Sequence, residues 1–279
     1  MNPYLQQSSQ LPLGRGVTIL NVNEDGLVAL NKPSGVLSHP NSAEDRKRSM
    51  IIADYDYDKE VFVWEQQGKA QRAWLINRLD SPTSGVVLVA LNHSTATIIK
   101  REFASHRITK IYYALVKRTP KSQTGHWSDQ LSKQVYSNSQ LTKQTKTIVA
   151  KTRFQIVKSP HGGFPISLIK LLPATGRTHQ LRVQCQKHGH PIVGDRTYGS
   201  FSFNREVAEE TGERRMMLHS AETVVRYTID GQSRSFQASV ALPEAFQTVL
   251  SFRPGLRTGL AQQGGSKATS KLRGRRFKS

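Results

Sequence analysis

The sequence predicts a mixed α+β domain, a mainly antiparallel sheet core with a few flanking helices. Three observations carry this. Apolar runs of four to eight residues, rich in β-branched side chains and bounded by Gly, Pro or Ser, recur along the 279 residues. Helical patterns are fewer than these runs. The two do not alternate one for one, as a doubly wound parallel sheet requires.

In order, the runs read as strands are 26–30, 85–91, 111–116, 147–150, 166–172, 223–227 and 236–242. Ser94 can cap a helix reaching to about Ser105, with Ala96, Ile99 and Phe103 on one face. Thr178 can cap a second that ends before Gly189, with Pro191 as a stop. Pro243 suits the first turn of a third, through Phe246 and Leu250. The polar stretch 117–144 is expected to be a hairpin or loop excursion on the surface. Residues 1–16 read as an N-terminal extension, 17–252 as the folded body and 253–279 as a tail. From 255 onward that tail holds seven Lys/Arg, no acid and five Gly, so it is expected to be disordered.

Lys and Arg outnumber Asp and Glu by 20, and removing the tail's seven still leaves +13 on the body. A surplus of that size asks for a polyanion such as nucleic acid. No apolar run is long enough to span a bilayer, and the N-terminus is polar, so a membrane protein or a secreted one is not expected. Cys185 is the single cysteine, which rules out internal disulfides and Cys-built zinc sites. His188-Gly189-His190 has no carboxylate or cysteine partners in the pattern, and no metal is expected.

Polar residues crowd against apolar strands in three places. Arg78 and Asp80 flank Leu79 ahead of the most apolar run, so in extended geometry both point to one face, although Asp80–Gly85 is also ordinary turn chemistry. In 110–116, period-two alternation puts Lys110, Tyr112, Ala114 and Val116 on one face and Ile111, Tyr113 and Leu115 on the other. One tyrosine should then pack in the core while the other can face a pocket and stack on a base. In 173–183, Gly176 permits a tight loop and Arg177 offers a phosphate-matching fork. His179, Arg182 and Gln186 would share a stripe of the helix that follows.

Together and in this order, these segments resemble the RluA-type RNA pseudouridine synthases. The resemblance rests on Asn31-Lys32-Pro33-Ser34-Gly35, Arg78-Leu79-Asp80 with Ser84-Gly85, Lys110-x-Tyr112-x-Ala114, Gly176-Arg177-Thr178-His179-Gln180-Leu181-Arg182-Val183, Gly189 to Asp195 with Tyr198-Gly199, and Leu218-His219. It runs from about Asn23 to Leu250. Two positions depart from the family pattern: Asn77 and Gln184 stand where histidine is common.

The resemblance implies the pseudouridine synthase type of sheet and isomerisation of uridine to pseudouridine in ribosomal or transfer RNA, with the target base flipped and no cofactor. It implies Asp80 as the reacting carboxylate, Arg182 as the cation that keeps it charged, and Tyr112 as the ring that stacks on uracil. It further implies Arg78 filling the gap left in the RNA, and Lys32, Lys110, Arg177 and His179 contacting RNA. The small RNA-binding domain of some relatives is not expected before Val17. A cytoplasmic enzyme, monomeric and without an obligatory protein partner, is expected. The competing expectation is a non-catalytic RNA-binding or assembly protein on the same fold, which would not need Asp80.

Overall fold

The computed structural model describes residues 2–135 and 144–254. Their chain order is α1 (Pro3–Ser9), β1 (Thr18–Val22), β2 (Leu27–Lys32), a 3-10 turn (Ala43–Arg48), β3 (Asp54–Asp56), β4 (Val61–Gln66), β5 (Lys69–Leu75), β6 (Ser84–Ala90), α2 (His93–Ala104) and β7 (Ile108–Lys117). Then come β8 (Thr124–Val135), β9 (Gln144–Lys158), β10 (Ile166–Pro173), α3 (Gln180–Lys187), α4 (Phe201–Thr211), β11 (Leu218–Ile229), β12 (Gln232–Ser239) and α5 (Glu244–Ser251). The described strands form one sheet in the order β3-β4-β5-β6-β11-β7-β10-β9-β8, with β2 also on β6, β1 on β2 and β12 on β11.

Every pairing between these described strands is antiparallel except one, between β6 and β11, where His219 meets Ser84 and Ser220 meets Gly85. That short parallel seam sits at the centre of the sheet, and the next strand over puts Tyr112 opposite Ser220. A Cβ on Gly85 would lie 2.1 Å from the Ser220 carbonyl, and its φ is +113°, so only glycine fits there.

The core explains the strand order. All seven residues of β6 are buried. Its alternate side chains feed two clusters, Val87 and Val89 with Phe62, Leu30 and Met50, and Val86 and Leu88 with Ile99, Val225 and Phe236. The alternation expected in β7 holds: Ala114 and Val116 pack with Trp127, Ile169 and Leu181, while Leu115 packs with Val193, Met217 and Phe246. Tyr112 bridges the first and third clusters, and Tyr113 lies against the fourth.

Several elements differ from expectation. Asn92, not Ser94, caps α2, accepting from the Thr95 amide at 2.8 Å. The helix expected from Thr178 starts at Gln180, because His179 is left-handed (φ 53°, ψ 18°). The excursion 117–144 is a true hairpin arm that buries Trp127, Asp129 and Leu131; its part at 136–143 lies outside the described residues, as does the tail from 255 onward. The segment before Val17 forms α1, and its Tyr4 and Leu11 pack on the first cluster. No helix among the described residues is long and apolar enough to cross a membrane.

Candidate active site

Asp80 sits in the loop from Ile76 to Thr83 between β5 and β6. Leu79, buried in the core, pins this loop, and Arg78 and Asp80 on either side of it both line one cleft, as the spacing predicts. A second loop, 33–38, straps it down. Ser38 Oγ donates to the Leu79 carbonyl (2.8 Å) and accepts from the Leu79 amide (3.0 Å). Ser34 Oγ donates to the Pro82 carbonyl at 2.7 Å, and the Gly35 amide donates to the Ser81 carbonyl at 2.8 Å. Asn77 Oδ1 accepts from the Leu88 amide at 2.8 Å, which stitches the loop to β6.

Lys32 belongs to this strapping and not to an RNA contact. It is fully buried at the end of β2, and its Nζ donates to the carbonyls of Pro33 (3.1 Å), Val36 (2.6 Å) and Ser81 (3.0 Å). A phosphate has no route to that ammonium. Burial pulls Lys32 down to about 7, against the upward pull of Asp80 and with a further downward push from Arg215.

Arg182, on the first turn of α3, is the hinge of the site. Its Nη1 donates to Asp80 Oδ2 at 2.9 Å, while Nε and Nη2 grip Asp195 Oδ2 and Oδ1 at 2.7 and 2.9 Å. The guanidinium is 6% exposed, Asp195 1% and Asp80 26%, so the open end of the chain of charges is Asp80. Burial disfavours the Arg182 cation, yet the hydrogen bonds it donates to Asp195 and Asp80, with their negative charge, overcome this and raise it above its ordinary value. Burial likewise pushes the Asp195 carboxyl up, but Arg182 and the amides of Thr197 and Tyr198 hold it below the usual range. Asp195 stands in the family signature, but no spacing in the sequence ties it to Arg182. The signal was a carboxylate following Gly194 in an otherwise apolar stretch.

Tyr112 lines the same cleft as that pair. Burial raises its hydroxyl to about 12, Ser220 opposes and Asp80 adds to the rise, so it stays a proton donor at neutral pH. His179 does not share a helical stripe with Arg182. Its Nε2 is 3.8 Å from Asp80 Oδ2 and its Nδ1 3.1 Å from the Tyr198 hydroxyl, whose ring lies 5.1 Å from the Arg182 guanidinium carbon. Lys110, half-buried and lowered by burial, sits against Gly176, where a Cβ would be 3.5 Å from its Nζ. Arg177 lines the cleft with a buried Nε that has no partner among the described residues.

Seven of the eight expected residues therefore line one cleft of about 1040 Å³, with Lys32 beneath its floor. The turn bearing Arg177 is fixed by Gln180, whose Oε1 accepts from the Arg177 amide (3.0 Å) and Thr175 Oγ1 (2.7 Å). Gln184 is fully buried and joins α3 to the hairpin arm, accepting from Thr152 Oγ1 (2.6 Å) and donating to Asp129 Oδ2 (2.8 Å). His188 stacks on Trp127 at 4.8 Å and meets the same Asp129 oxygen at 3.0 Å. A cleft lined by one carboxylate, one phenol and several cations suits a polyanion that inserts a single uncharged ring.

Residues 26–187 match the family model described as RNA pseudouridylate synthase. A tRNA pseudouridine synthase C of Pectobacterium carotovorum subsp. carotovorum is 32% identical over 225 residues, covering 77% of this chain and 57% of that relative. The chain thus spans less than two thirds of that protein's length. The tRNA pseudouridine synthase C of Yersinia pestis is 30% identical over 231 residues, covering 77% of this chain and 83% of its own. The solved structure of human RNA pseudouridylate synthase domain containing 4 matches with a TM-score of 0.58 at 22% identity, covering 83% of this chain and 91% of that one; this likeness concerns the fold.

Proposed function

Because the chain belongs to the RNA pseudouridylate synthase family, we propose that it isomerises uridine to pseudouridine within an RNA, with transfer RNA as the substrate class named in both bacterial relatives. The observation that carries this is Asp80, held at 2.9 Å by a buried arginine that is itself fixed from behind, at the wall of a cleft faced by Tyr112.

In this reading the target uridine leaves the helix and its uracil enters the cleft over the Tyr112 ring. Asp80 acts on the reacting nucleotide as nucleophile or base. The N1–C1′ bond breaks, C5 bonds to C1′, the C5 proton leaves and N1 gains one, so the isomerisation is redox-neutral. Arg182 keeps Asp80 aimed, and Tyr112 stacks on the base and relays the late proton. Arg78, exposed at the mouth, fills the vacated place in the RNA, while Lys110, Arg177 and His179 meet the backbone around it. Protein and unmodified tRNA transcripts are incubated, digested and analysed for pseudouridine. Asp80→Asn should abolish the product and leave RNA affinity within about twofold, since the change adds no bulk at a partly exposed carboxyl. Product made undiminished by Asp80→Asn overturns the assignment of the acid. Product found only in ribosomal RNA overturns the substrate class. RNA bound without product by the unaltered protein favours a non-catalytic RNA-binding role.

A further inference from the structure

The wall of the cleft continues past Arg78 as a run of aromatic rings. His39 lines the cleft and lies face to face on Tyr55, with centroids 4.8 Å apart and planes within 9°. Tyr55 rests on Phe62 at 4.8 Å, and Phe62 is fully buried, so the stack is footed in the core. Tyr57 stands edge-on to both rings, 6.1 Å from His39 and 5.2 Å from Tyr55, and is 52% exposed. The imidazole is fixed as well. Its Nδ1 faces the Pro40 carbonyl at 2.8 Å and must donate, which leaves Nε2 to accept from Arg78 Nη1 at 3.3 Å. A π surface therefore runs from the guanidinium at the cleft mouth out to solvent.

The charges around it decide which part of a polynucleotide fits. Tyr55 and Tyr57 alternate with Asp54, Asp56 and Asp58. Arg46 is taken by Asp54 and Lys59 by Asp56, so the cations beside Tyr55 and Tyr57 face carboxylates, while Arg78 at the inner end is held by His39. A phosphate would be repelled from this strip, whereas the uncharged face of a base is not. The surface is continuous with the cleft mouth, where the flanking nucleotides of any strand feeding its uridine inward must pass.

Resting on the reading of the cleft given above, we propose that His39 and Tyr57, backed by Tyr55, form a stacking shelf for the unpaired base next to the extruded uridine, with Arg78 moored on His39 beside it. The shelf compensates part of the stacking that the strand loses on extrusion. It also sets a specificity: targets whose neighbour lies in a loop or bulge are preferred over targets inside continuous duplex.

The probe is a seven-nucleotide single-stranded RNA with one uridine flanked on both sides by 2-aminopurine, whose fluorescence falls on stacking. The protein and Tyr57→Phe should quench and bind alike, whereas Tyr57→Leu should bind about tenfold more weakly with most of the quenching lost. On tRNA transcripts Tyr57→Leu should raise KM about tenfold and leave kcat unchanged. Because Tyr57 is exposed in the turn after β3, its variants should melt with the parent. Equal quenching and affinity for Tyr57→Leu and the parent overturns the shelf. Quenching that depends on Tyr57 in a protein that forms no pseudouridine leaves the shelf standing and overturns the catalytic reading instead.

Discussion

Replacing Asp195 by asparagine tests the site from behind. The substitution keeps the shape and keeps Oδ1 as acceptor for the Thr197 and Tyr198 amides (2.9 and 3.0 Å), but it sets an amide NH₂ against Arg182 Nε, donor against donor. Both partners are almost wholly buried, 1% and 6% exposed, so Arg182 would be left as a buried cation half paired. Breaking a buried pair from one side costs roughly 3–5 kcal/mol, which in a chain of this size is on the order of a 10 °C fall in Tm. Asp80 remains as the only carboxylate on Arg182, and the guanidinium is free to turn toward it. The acid is then neutralised and mis-aimed, and kcat should fall about a hundredfold or more while RNA affinity holds. The double variant Asp195→Asn with Arg182→Met removes the orphaned charge, so it should recover part of the lost Tm but none of the activity. Thermal melting and pseudouridine release from the same preparations decide it. An Asp195→Asn protein that melts within 2 °C of the parent and keeps its kcat refutes the reasoning.

The hairpin arm offers an acid-side prediction. Burial alone would raise the Asp129 carboxyl, but hydrogen bonds from Gln184, His188 and Lys187 hold it below its usual range. A depressed carboxyl contributes stability above its unfolded value, about 3.9, and loses it as pH falls through the folded one. The stability gap between the parent and Asp129→Asn, read by urea unfolding, should therefore be full at pH 7 and close towards pH 3. At the parallel seam, Gly85→Ala brings a Cβ to 2.1 Å from the Ser220 carbonyl at a φ of +113°. It should cost about 3 kcal/mol or more, seen as a lowered urea midpoint or insoluble protein.

How much of this was legible in the sequence depends on whether a signal was local. The faces of β7 follow from a period of two, so the sequence alone separates Tyr112 from Tyr113. Arg78 and Asp80 followed from the same spacing across one buried leucine. The start of α3 did not, because a tertiary contact, Nδ1 of His179 on Tyr198, accompanies a left-handed backbone that propensity does not foresee. The pairing of Asp195 with Arg182 is hidden for a different reason: it lies thirteen residues beyond Arg182, and a fork closed in space leaves no periodicity. Polar residues misled in both directions. In β8, Trp127, Asp129 and Leu131 face inward among Ser, Gln and Lys, so the pattern gives the hairpin but not its buried face. Lys32 read as a surface cation, since lysine is seldom fully buried without a paired anion.

That buried lysine carries the last inference about the charge of the site. Its ammonium satisfies three carbonyls at the cross-over of the 33–38 and 80–82 loops, and burial holds it near 7 while Asp80 pulls it upward. The unfolded chain returns it to about 10.4. A folded value below the unfolded one means that this group's stability is full above about pH 10 and is lost as pH falls toward 7, at about 1.4 kcal/mol for each unit. Asp80→Asn takes away the one upward pull and leaves burial and Arg215, so the folded value drops further and the penalty near neutrality grows. The variant should therefore be less stable than the parent at pH 6, and the gap should close as pH rises through about 7 and stay flat from there to pH 10. In a Lys32→Met background the same Asp80→Asn change should give a gap that does not move with pH over this window. Urea midpoints of the four proteins across pH 6–10 settle it. A gap that is flat with lysine present would mean that Lys32 and Asp80 do not feel each other, and that the strap beneath the cleft is mechanical rather than electrostatic.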